Sequence, residues 1–247
     1  MAYRPKNLSG ATRRKPQQSR SRHTAGALQE AFVQLLVTRD YDAVTIRDIT
    51  DLAGTSLGSF YEYFGNKDNL AKVSVHLRSK RLLRVLQDES LVSIRMPLDK
   101  AMHAAVDQLL EAHRESPPLW GVHYLLERRF SGIDPYAKMY EQFVGAWQRL
   151  IMMASDRSCP WPQDVARTCH TIIYGLFAHA HLQGLGTTGA CIDYDQLRLQ
   201  SRHALLGYLA LATPPSGQQR SISMRGTRLP IERPEDDQKP FPRPHHP

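Results

Sequence analysis

Residues 53–64 read AGTSLGSFYEYF and run into Gly65-Asn66-Lys67-Asp68, and the chemistry these residues can do is contact with nucleic acid. Gly54 and Thr55 supply a tight turn, Ser56 can cap the helix that follows, and that helix buries only Phe60 and Phe64 while showing small polar residues and tyrosines. Such a helix is too poor in apolar residues to serve a core. Other chemistry-bearing patterns are weaker. Residues 184–189 spell G-x-G-x-x-G, but a dinucleotide loop needs a strand before it and a helix after it, and here a helix precedes it. A flexible connection between two helices is the simpler reading. His103, His113, His123, His170, His179 and His181 lack metal spacing: His179 and His181 sit two apart, on opposite sides of a helix. No metal and no cofactor is therefore expected. There is no G-x-S-x-G, Walker loop or H-E-x-x-H, so an enzyme is not indicated.

The elements that must position the 53–64 segment are legible around it. Thr45 and Asp48 form an approximate capping box at the start of a helix with a buried stripe of Ile46, Ile49, Leu52 and Ala53. Upstream, Leu28, Ala31, Phe32, Leu35 and Leu36 mark one face of a longer helix. Downstream, Leu70, Val73 and Leu77 continue a fourth helix from near Asn66. Residues 23 to about 65 thus read as a three-helix helix-turn-helix unit.

This unit resembles the DNA-binding domain of the TetR family of transcriptional regulators over residues 22–77. The likeness rests on the order Phe32, Tyr41, Thr45, Ile49, Ala53-Gly54, Ser56, Gly58, Phe60-Tyr61, Tyr63-Phe64, Lys67 and Leu70. Three positions depart from the family's pattern. Asp40 stands where glycine is common and tolerates a left-handed turn, Thr50 replaces a small alanine and can bond back to the Ile46 carbonyl, and Thr55 replaces an aliphatic residue. The resemblance implies that residues 56–63 lie in the major groove, with Thr45, Tyr61 and Lys67 on phosphates and Arg47, Leu57 and Ser59 toward base edges. Gly58 lets the backbone approach closely, and Thr55 and Tyr63 complete the expected DNA-facing set. Of the two tyrosines, Tyr61 is expected to be the exposed one.

Charge agrees with a nucleic-acid partner. Of the net +8 over 247 residues, residues 1–22 carry seven basic side chains and no acid, and residues 213–247 carry +2, so the remainder is close to neutral. The basic segment reads as a disordered arm attracted to phosphate, although a solvated tail has the same composition. An architectural protein that coats nucleic acid is the alternative class, with weak sequence preference and steep salt dependence. Cys159, Cys169 and Cys191 are odd in number and lack C-x-x-C spacing, which points to free thiols in a cytoplasmic chain. No signal peptide or membrane span is expected.

Beyond residue 86 the pattern is helical throughout, with helices expected at 98–113, 119–130, 134–155, 163–183 and 194–212 and a disordered tail at 213–247. The fold class is therefore all-α: a helix-turn-helix domain at residues 23–77 and a helical regulatory and dimerisation domain at 78–212. By the resemblance, the last two helices pair with their mates in a homodimer that binds a palindromic double-stranded operator as a repressor. Trp120, Tyr124, Phe143, Trp147, Tyr174 and Phe177 offer more aromatic surface than a dimer seam needs. They are the expected lining for a small apolar or aromatic effector, with His103, Arg128 or His170 as polar partners.

Overall fold

Leu28, Phe32, Ile49, Phe60, Phe64 and Leu70 are each at most 1% exposed, and their mutual burial closes the N-terminal unit. Each such side chain contributes about 1.5–3 kcal/mol relative to leaving it in water. The computed structural model describes residues 19–91, 95–156, 159–186 and 191–212. Four helices build the unit: α1 (Ser19–Thr38), α2 (Ile46–Leu52), α3 (Leu57–Tyr63) and the first half of α4 (Lys67–Leu86). Helix α1 begins four residues inside the stretch expected to be an unstructured arm; residues 1–18 and the tail 213–247 lie outside the described residues.

The rest is α5 (Leu98–Arg114), α6 (Pro117–Phe130), α7 (Ile133–Met153), α8 (Pro162–Gly186) and α9 (Tyr194–Ala212), and among the described residues there is no strand. Helix α6 starts two residues earlier than its periodicity suggests, because a proline in the first turn loses no hydrogen bond. Helix α8 runs on through Gly184-Leu185-Gly186, so the first half of the G-x-G-x-x-G stretch is helix; residues 187–190 are outside the described set. No helix among the described residues is long and apolar enough to cross a membrane.

Two helices belong to both cores. On α4, Leu70, Ala71 and Val75 pack into the N-terminal unit, while Leu82, Leu83 and Leu86 pack into the larger C-terminal core. On α6, Val122 and Leu126 face the N-terminal unit and Trp120 and Tyr124 face the other way. The spacing 122/126 against 120/124 places these sets on separate sides of one helix. A close approach fixes α6 against α8: a Cβ at Gly121 would lie 2.6 Å from the Leu185 side chain and 3.0 Å from the His181 carbonyl oxygen.

Candidate functional site

Helix α2 is set by the capping box that its sequence suggests. The Thr45 hydroxyl accepts from the Asp48 N–H at 3.1 Å, and the Asp48 carboxylate accepts from the Thr45 N–H at 2.9 Å. The Thr45 N–H and hydroxyl, both donating to the Asp48 carboxylate at 2.9 and 2.8 Å and reinforced by Arg39 at 3.4 Å, hold that carboxyl below its usual range. The chain then turns at Gly54, whose φ of +63° is the left-handed conformation that glycine adopts without steric cost. Asp40 needs no such tolerance, since its φ is −64°. Thr50 bonds back to the Arg47 carbonyl at 2.9 Å, one residue later than expected.

Ser56 caps α3 by accepting from the Ser59 N–H at 3.1 Å, and the two hydroxyls lie 3.0 Å apart. Phe60 turns inward, which leaves Leu57, Gly58 and Tyr61 exposed and Ser59 half-buried. Arg47 is exposed nearby, and among the described residues no hydrogen bond or ion pair holds its guanidinium. The outer surface of α2 and α3 therefore offers Thr45, Arg47, Leu57, Gly58, Ser59 and Tyr61 together.

Three expected DNA-facing residues are placed differently. The Tyr63 ring is 6% exposed and belongs to the core, because the 3.6-residue period carries position 63 inward with Phe60. The Thr55 hydroxyl is buried without a hydrogen-bond partner. Lys67 spends its ammonium inside the fold, donating to the carbonyls of Tyr41 at 2.7 Å and Val44 at 2.6 Å and sitting 4.2 Å from the Tyr41 ring centre.

Tyr41 is a junction that residue spacing does not reveal. Its hydroxyl donates to Asp68 at 2.5 Å, and its ring is approached by both Lys67, at 4.2 Å, and Arg129 of α6, at 4.4 Å. Burial and the Asp68 hydrogen bond push the Tyr41 phenol well up. Arg129 also grips Asp42 with two hydrogen bonds, at 2.8 and 3.3 Å. This ties the loop before α2 to the C-terminal half of the molecule.

A second candidate region lies between α4, α5, α6, α7 and α8. Of the expected lining, Tyr124, Phe143, Trp147, Tyr174 and Phe177 surround a cavity, together with His170. Trp120 does not reach it: the indole N–H donates to the Ala112 carbonyl at 2.9 Å and the ring packs 4.3 Å from His113. His103 is half-buried elsewhere on α5, and Arg128 is exposed on the far side of α6. Residues not anticipated complete the wall: Ser79, Leu82 and Leu86 of α4, His113, His123, Glu127, Tyr136 and Tyr140. The i, i+4, i+7, i+11 series Tyr136, Tyr140, Phe143 and Trp147 was the available signal.

The free space is narrow, about 50 Å³ open to the centre of a water molecule. That suffices for a few waters, and a larger guest needs side chains to move aside. Neutral histidines dominate the polar lining, because burial lowers the pKa of His113 and brings His170 to about 4 and His123 to about 3. The Nδ1 of His113 lies 2.7 Å from the Leu109 carbonyl, which can only accept, so Nδ1 carries the proton and Nε2 accepts from the Tyr124 hydroxyl at 3.0 Å. Glu127, 9% exposed, accepts from the Tyr174 hydroxyl at 2.5 Å, and burial raises its pKa. Among the described residues no group of three or more His, Cys, Asp or Glu could hold a metal ion.

Comparison with known proteins agrees with this geometry. Residues 29–73 match the family model for bacterial regulatory proteins of the tetR family. A curated relative, the uncharacterized HTH-type transcriptional regulator YwcC of Bacillus subtilis strain 168, is 25% identical over 174 residues, covering 64% of this chain and 77% of that protein. Among solved structures, a transcriptional regulator from Rhodococcus sp. Rha1 has a TM-score of 0.60 at 16% identity, covering 76% of this chain and 97% of that one. The fatty acid degradation regulator FadR from Bacillus halodurans has a TM-score of 0.56 at 16% identity, covering 74% and 95%. At these identities the solved structures speak for the fold. Residues 29–73 therefore resemble the helix-turn-helix of the tetR family of bacterial regulatory proteins, carried on a fold that this chain shares with solved transcriptional regulators.

Proposed function

We propose that the chain is a homodimeric cytoplasmic repressor that leaves a palindromic operator when a small aromatic effector occupies the cavity. The observation that carries this reading is the path of α4, whose first half packs in the DNA-binding core and whose second half supplies Ser79, Leu82 and Leu86 to the cavity wall. A guest that displaces those side chains acts on the same rigid helix that supports α2 and α3. In this reading Arg47, Leu57 and Ser59 reach base edges, and Thr45 and Tyr61 meet phosphates. A lone helix-turn-helix reads few base pairs, so a two-fold partner is needed for useful specificity. Support for the partner comes from α9, which exposes Leu199 at 49% and Leu211 at 84%.

An effector shifts the equilibrium only by its preference for the arrangement that does not bind DNA. The test is a screen of aromatic compounds on the full chain, scoring melting temperature and release of bound operator in parallel. Compounds that do both are expected. Many compounds that raise the melting temperature, with none releasing DNA, would remove the inducible mechanism.

A further inference from the structure

We infer that the cavity selects a ligand carrying a positive charge on an aromatic or compact apolar body, with Glu127 as its counter-ion. This deepens the effector reading above and rests on it. Among the described residues, Glu127 is the sole carboxylate on the cavity wall, and no lysine or arginine lines that wall with it. Around it, rings form a nearly continuous belt: Tyr136 lies 6.3 Å from Tyr140, Tyr140 lies 5.1 Å from His170, and Tyr174 lies 6.0 Å from His170 and 5.7 Å from Tyr124. A cation held among such faces gains from their quadrupoles, most of all where water is excluded.

The alternatives fit less well. An anionic ligand would meet a buried carboxylate, and the cations Arg128 and Arg78 act on the wall from outside it without lining the space. A neutral hydrocarbon would fill the space, add nothing to the bond between the Glu127 carboxyl and the Tyr174 hydroxyl, and leave the Nδ1 of buried His123 unpartnered. The histidines do not repel a cation, since burial keeps them neutral at physiological pH.

A neighbouring groove suggests where a ligand would enter. A groove of about 260 Å³ shares Ser79, Glu127, Tyr136 and Met139 with the cavity, so Glu127 lines both spaces. Tyr136 is 42% exposed and Met139 has a flexible side chain, and together they are the groups that can swing aside. The outer groove also carries exposed Lys72, where solvent screens its charge, and His76, whose pKa is lowered by partial burial and by Lys80.

The test compares phenyltrimethylammonium, its neutral isostere tert-butylbenzene and benzoate on the full chain by calorimetry, with release of bound DNA followed in the same samples. The cation is expected to bind about tenfold tighter than the isostere or more, and Glu127→Gln should erase that preference. Tyr174→Phe, which keeps the ring and the carboxylate, should retain it. The inference falls if tert-butylbenzene or benzoate binds as well as the cation, if none of the three binds, or if Glu127→Gln leaves the preference intact. The wild-type comparison decides the matter even if Glu127→Gln fails to fold. Should a neutral or anionic compound occupy the cavity and release DNA, charge selection fails while the effector reading stands. Glu127-dependent binding of the cation without release of DNA has the opposite meaning.

Discussion

Lys67→Met separates two roles that a lysine near DNA can have. In the fold its ammonium makes two short charge-assisted hydrogen bonds to backbone carbonyls, 2.7 and 2.6 Å, and faces the Tyr41 ring at 4.2 Å. Hydrogen bonds to a charged group contribute about 1.5–3 kcal/mol each, and a partly exposed cation over a ring adds about 0.5–1 kcal/mol. Water can replace part of this, since the side chain is half-buried, so the expected loss is about 2–4 kcal/mol. Methionine keeps the apolar stem and removes only the charge. Urea denaturation measures the stability, and fluorescence anisotropy on a DNA duplex over a range of salt measures the second quantity. A lysine that neutralises one phosphate contributes about 0.9 to the slope of log K against log salt. The clamp role predicts lower stability with a nearly unchanged slope. Unchanged stability with a slope reduced by about one unit would refute it.

Two further outcomes follow from packing and burial. Gly121→Ala places a Cβ against Leu185 and the His181 carbonyl, and the forced separation of α6 and α8 should cost about 1–3 kcal/mol in urea denaturation; an unchanged midpoint would mean the helices yield freely. The pKa of His170 falls to about 4 in the folded chain because of burial, so it affects stability only once pH drops below 6.5, where the unfolded chain takes up the proton first. That penalty reaches roughly 2 kcal/mol at pH 5. His170→Phe, which can keep the stack on Phe143 at 4.9 Å, should therefore show a flatter loss of stability from pH 7 to pH 5, and parallel curves for the two proteins would contradict this origin.

What the sequence made legible was local. The Thr45 and Ser56 caps and the apolar stripe of α1 depend on residues a few positions apart, and the structure has them as their spacing predicts. The glycine turn was legible for the same reason, although its left-handed residue is Gly54 and Asp40 is extended. Contacts across many residues were not legible: nothing near Lys67 announces that its partners are the carbonyls of residues 41 and 44. The cavity shows the same limit. Its aromatic residues stood out by type, but which of them face the space depends on the rotation of α6, which sends Val122 and Leu126 to one core and Tyr124 and Glu127 to the other. Trp120 lies on that helix one turn before Tyr124, and a hydrogen bond to α5 holds it out of the lining. Glu127 carries no signal of its own in the sequence, because its place on the wall and its Tyr174 partner come from α8, 47 residues away.

Selection of binding sites from a random duplex library by the purified full chain, repeated with Arg47→Ala, tests the central claim most directly. A two-fold symmetric consensus is expected, with two chains per duplex. Arg47→Ala should lose about 1–3 kcal/mol on that site and relax the preference at one position in each half-site, while binding to random DNA changes little. An unselected library, or a variant that weakens consensus and random DNA equally, would mean that this surface does not read sequence.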